Sequence, residues 1–145
     1  MTTKEKTSAI SPQPRRRGLR IGLWVVQSLL TALFFLAGMG HLASPIDQLR
    51  AQNAWVGGAM GQLVRLIGAV EVLGALGLIL PAATRIKPWL TPLAAVGLAT
   101  VMVLAAITHA VRGELSGIAI TAVLGAMAAF VAWGRYRTLP VARRS

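Results

Sequence analysis

Leu66-Ile67-Gly68-Ala69-Val70-Glu71-Val72-Leu73-Gly74-Ala75-Leu76-Gly77-Leu78-Ile79-Leu80 is an apolar run broken by a single charge, Glu71. Charge-free runs over Ile21–Gly40, Trp89–Val111 and Leu115–Gly134 accompany it. Each is near the ~20 residues needed to cross ~30 Å of hydrocarbon. Together they predict an all-α integral membrane four-helix bundle with spans near 20–42, 63–80, 89–111 and 115–134. An ionisable group at mid-membrane depth costs roughly 2.5–3.5 kcal/mol on insertion scales, so Glu71 is expected to face the bundle interior.

The loops fix the neighbours. Pro81 to Pro88 is short and proline-bounded, and Arg112–Ser116 is shorter still. The second and third spans, and the third and fourth, must therefore pack antiparallel. Small residues at four-residue spacing suit the contact faces: Ala95 and Ala99, Ala106 and Ala110, Gly125 and Ala129, Ala128 and Ala132.

At 145 residues and 55% hydrophobic, one bundle uses nearly the whole chain. The formal charge of +11 would suit nucleic acid, but its placement does not. Twelve of the fifteen basic residues lie before the first span, between the second and third, or after the fourth; only Arg50, Arg65 and Arg112 lie on the other side. The positive-inside rule then places both termini in the cytoplasm of a multi-pass protein, expected in the plasma membrane. The basic tails are expected to meet anionic lipid headgroups. Trp24, Trp89 and Trp133 fall at one depth on that same side, as indole's interfacial preference requires. Cysteine is absent, which removes disulfide exchange, thiol nucleophiles and thiolate metal sites.

Residues 1–17 are basic and proline-interrupted and are expected to be a disordered tail, with a second basic tail over 136–145 and the membrane domain over 18–135. Arg16-Arg17 faintly resembles a twin-arginine signal, but the following apolar run is too long for a cleaved signal's core. In the first outer loop, Ser44-Pro45-Ile46-Asp47 reads as a helix start with Ser44 as cap. Ile46, Leu49 and Trp55 would share one face of a short interfacial helix.

A rise of 1.5 Å per residue gives approximate heights above the inner tryptophan level. His41 comes out at roughly 26 Å, His109 at roughly 30 Å, Arg65 at roughly 24 Å and Glu71 at roughly 15 Å. His41, Arg65 and His109 should then converge at the outer mouth, with Glu71 below them and no direct His41–Glu71 pair. Thr31, Thr100 and Thr121, at roughly 10, 16 and 18 Å, are the expected hydrogen-bond partners of Glu71. Glu71 reads equally as a proton-handling or ligand-binding carboxylate and as a structural acid. A haem between the two histidines is disfavoured by their rim position and by the absence of a cysteine attachment motif. No metal site is expected, since two histidines with no carboxylate at their level leave the shell short.

Gly38-Met39-Gly40-His41-Leu42, then Gly68-Ala69-Val70-Glu71-Val72-Leu73-Gly74-Ala75-Leu76-Gly77 ahead of Pro81, and Ala105-Ala106-Ile107-Thr108-His109, resemble the DoxX-like family of small bacterial membrane proteins. The resemblance runs from about Gly22 to Arg135. It implies a four-helix bundle and company with redox enzymes, since relatives serve thiosulfate:quinone oxidoreductases or partner thiol and oxidative-stress enzymes. Relatives often carry lysine where His41 stands; histidine lacks lysine's permanent charge.

Two functions follow as expectations. One is a non-catalytic membrane subunit or accessory of a redox or oxidative-stress system, with a quinone-sized pocket between His41, Arg65, Glu71 and His109 and an oxidoreductase partner. The other is a small carrier or channel, working as a homo-oligomer, with Glu71 as its coupling group. No residue here carries electrons without a cofactor, so a self-sufficient oxidoreductase is not expected.

Overall fold

A computed structural model describes residues 14–52 and 56–142. Its elements are α1 (Pro14–Ala43), α2 (Ile46–Gln52), α3 (Ala59–Thr84), α4 (Leu90–Val111) and α5 (Leu115–Trp133), closed by a π-helical turn over Gly134–Thr138. The four long helices are each long and apolar enough to cross a membrane. Consecutive long helices pack side by side, and α5 returns to α1, so the bundle is a closed up-and-down ring.

Inside the ring, Leu30 and Phe34 of α1, Ala75 and Leu78 of α3, Ala95, Leu98 and Met102 of α4, and Ala128 and Val131 of α5 form the core. The outside is equally apolar: Leu36, Leu73, Val103 and Leu115 are all exposed. Only 17–28% of the residues in the most apolar stretch of each span are buried within the protein, so many apolar side chains face outward, as contact with lipid requires.

Several boundaries move. α1 begins at Pro14, so Pro14–Arg17 are helical rather than part of a disordered tail; residues 1–13 lie outside the description. α3 runs through Pro81 to Thr84 and ends on Arg85 in the left-handed conformation. The short helix between the first two spans forms, but it starts after Pro45, whose carbonyl accepts from the Gln48 and Leu49 amides. Ile46 and Leu49 pack with Val56 and Val64, tying α2 to α3. Trp55 lies outside the described residues.

Ala95 and Ala128 are fully buried at helix contacts. Ala106, Ala110, Gly125 and Ala129 line an open trough of about 600 Å³ between α4 and α5, at whose base a Cβ added to Gly125 would lie 3.3 Å from Met102 Cβ. Their small side chains leave space there.

Candidate functional site

The sequence makes α1 and α3 meet backbone to backbone. A Cβ added at Gly68 would lie 2.7 Å from His41 Cβ and 2.8 Å from the Gly38 carbonyl oxygen. One added at Gly38 would lie 2.7 Å from the Gly68 carbonyl oxygen. Glycine at both positions permits this crossing.

The crossing brings His41 and Glu71 together. Nδ1 of His41 and Oε2 of Glu71 share a 2.7 Å hydrogen bond. The depth count placed these residues too far apart, for two physical reasons. It anchored α3 at Pro81, whereas the helix continues to Thr84, which raises Glu71 toward His41. It also treated side chains as level with their Cα atoms. Side chains lean toward their helix N-terminus, and in antiparallel helices that lean carries His41 and Glu71 toward each other.

Glu71 is 4% exposed, while the His41 side chain is 36% exposed. One end of the pair is sealed in the bundle and the other is reachable from outside. A Nδ1···Oε2 contact of this length needs a proton between the two atoms, so the pair is built to hold one.

The expected threonine partners do not form. Thr31 donates to the Gln27 carbonyl, Thr100 to the Val96 carbonyl, and Thr121 to the Gly117 and Ile118 carbonyls. Each hydroxyl bonds back to the preceding turn of its own helix, the usual fate of a threonine without a close cross-helix acceptor.

Arg65 is drawn into a structural task. Its guanidinium donates to the carbonyls of His41, at 3.0 Å, and Ser44, at 2.8 Å, and also to that of Leu42. These carbonyls are left without amide partners as α1 ends, and a cation there also complements the helix dipole. Arg65 therefore caps α1 directly behind His41 rather than pointing into an open pocket.

His109 bonds to the α4–α5 turn rather than to the His41–Glu71 pair. Its Nδ1 shares a 2.6 Å hydrogen bond with Glu114 Oε2, and Arg112 Nε donates to Glu114 Oε1 at 2.7 Å. The ring packs on the first turn of α5, where a Cβ at Gly117 would collide with the imidazole. Arg112 holds the Glu114 carboxyl below its usual range, with His109 adding to the effect. The expected gathering of His41, Arg65 and His109 is thus replaced by two clusters, and each histidine has a carboxylate beside it.

A second polar assembly occupies the opposite end. Gln27 is fully buried; its Nε2 donates to the Leu78 carbonyl at 2.7 Å and its Oε1 accepts from Arg135 Nε at 2.8 Å. The Arg135 guanidinium lies 4.7 Å from the centroid of a Trp24 ring. Sequence reading missed both residues. Gln27 is uncharged and passed as part of the first span, and Arg135 passed as a flanking charge. The signal was present in Gln27, the lone amide of that run.

Among known families, the model of the DoxX-like family matches residues 25–131. The chain belongs to the DoxX-like family, and the matched region takes in Gly38, His41, Gly68, Glu71 and His109. No curated protein and no solved structure matches it.

Proposed function

We propose that this chain is a membrane-embedded accessory of a redox or oxidative-stress enzyme, with both termini in the cytoplasm and no turnover of its own. The observation that carries the reading is the His41–Glu71 pair: a carboxylate buried inside a bundle and bonded to an imidazole that opens outward. Such a pair can pass a proton or hold a polar ligand head such as a quinone carbonyl, but it supplies no electrons. The association with redox chemistry is what the resemblance to other DoxX-like proteins implies. Because Arg65 and His109 are engaged elsewhere, ligand contact narrows to His41 and Glu71.

The same pair supports a second reading, a small oligomeric carrier in which Glu71 couples transport to a proton. One experiment divides the two. The chain is purified from its native membranes, its co-purifying proteins and quinone content are measured, and the chain is then reconstituted alone in liposomes. The accessory reading expects an oxidoreductase in the eluate and liposomes that move neither protons nor solutes. Flux that is lost in Glu71→Gln would replace it with the carrier.

A further inference from the structure

At the end opposite His41, α4 and the close of α5 border a groove of about 650 Å³. Leu93, Val96, Trp89 and Trp133 line it together with Arg135 and Arg137. The groove thus passes from the apolar surface of two spans to two guanidinium groups within the depth of a headgroup layer. Aromatic side chains at that boundary are the usual anchors of an interface.

Arg135 is the unusual member. It is 5% exposed, and among the described residues Nε donates to Gln27 while the buried Nη2 has no hydrogen-bond partner. A buried guanidinium needs its charge and donors answered; Gln27 supplies a neutral oxygen and Trp24 the face of a ring, neither of which carries a negative charge. Arg20 on α1 is close enough to oppose its charge further. The π-helical turn fixes this arrangement: the Leu139 amide donates to the Gly134 carbonyl at 2.8 Å, which keeps Arg135 inside while Tyr136 and Arg137 stay exposed. Such a guanidinium suits an anion, and Leu93 and Val96 beside it suit an acyl chain attached to that anion.

We infer that this groove is a binding site for one anionic phospholipid, its phosphate held by Arg135 and Arg137 and an acyl chain lying along Leu93 and Val96. Arginine suits the task because its planar fork matches phosphate oxygens and is weakly hydrated. This goes beyond loose attraction of basic tails to a charged surface: it requires one lipid, at one place. The site is independent of the His41–Glu71 pair.

Native mass spectrometry of the full-length chain in detergent tests the site, with phosphatidylglycerol and phosphatidylcholine of identical acyl chains added in turn. One phosphatidylglycerol should be retained over phosphatidylcholine by about tenfold, because choline's own ammonium repels the two guanidinium groups and offsets the phosphate charge they would answer. Arg137→Gln should lower that preference several-fold. Val96→Trp, at an exposed position with no role in the Arg135 network, should abolish retention while leaving helicity and Tm unchanged. These two variants decide the matter even if Arg135→Gln fails to fold. Free glycerol phosphate should not displace the lipid, because it lacks the chain that fills the groove. Equal retention of the two lipids, displacement by glycerol phosphate, or unchanged retention in both Arg137→Gln and Val96→Trp would overturn the inference.

Discussion

His41 and Glu71, thirty residues apart, are joined by a 2.7 Å hydrogen bond across the contact of α1 and α3. The bond stands directly beside a close approach of the two helices, at Gly38 and Gly68. Packing and chemistry are therefore linked at this site: the glycines bring the backbones together, and the short distance lets the two side chains share a proton.

That linkage sets the first expectation. Gly68→Ala and Gly38→Ala should each destabilise the bundle by about 1–3 kcal/mol, the usual cost of overpacking. Gly40→Ala is the control, since its added methyl meets nothing within 4 Å. Its effect should be neutral or favourable by up to about 1 kcal/mol, because alanine is the better helix former. Unfolding in mixed micelles measures all three.

A double-mutant cycle tests the bond itself. His41→Gln and Glu71→Gln should couple by about 1–2 kcal/mol, in the upper range for polar pairs between membrane helices. Glu71→Lys should be worse tolerated than Glu71→Gln, because it places a cation beside Gly38 and His41 in a buried position. Additive effects of the two glutamine variants would mean that the bond contributes nothing to stability.

Arg65 should behave as a cap. Arg65→Ala removes a donor from the His41, Leu42 and Ser44 carbonyls and should cost about 1–3 kcal/mol, as for hydrogen bonds from a charged group. Arg65→Lys should recover only part of this, since one ammonium cannot reproduce the fork's geometry. Hydrogen exchange at the end of α1 gives the readout.

On the α4–α5 turn the test is pH. The Glu114 carboxyl is held below its ordinary value of 4.5, so its favourable contacts are fully present above that value. They are lost as pH falls through the lowered folded value. Stability should therefore decline in acid below pH 4.5, and Glu114→Gln should flatten that decline. A wild-type acid profile that the substitution leaves unchanged would argue against the pairing with Arg112 and His109.

The four spans were legible because membrane-length apolar runs admit few other readings, and Glu71 was legible because a charge inside one of them is costly. The partner of Glu71 was not. Height counts depend on where each helix ends and ignore side-chain lean, and both errors pushed His41 away from Glu71. The threonines matched in height, but height does not show which face of a helix a residue occupies, and each hydroxyl found an acceptor in its own helix. Arg65 looked like a ligand group because a sequence does not show that the carbonyls of His41, Leu42 and Ser44 end up beside it. Gln27 and Arg135, 108 positions apart, are joined only by the return of α5 to α1. Nothing local in either segment announces that contact.

The central claim is that the His41–Glu71 pair is the working site of a membrane accessory to redox defence. Its most direct test is complementation of a deletion strain of the native host under peroxide stress, with membrane abundance of every variant matched. Wild-type chain and Arg112→Gln should restore growth, while Glu71→Gln, which keeps the shape of the side chain but removes its exchangeable carboxyl proton, should not. Full restoration by Glu71→Gln at matched abundance would contradict the account and leave Glu71 a structural residue.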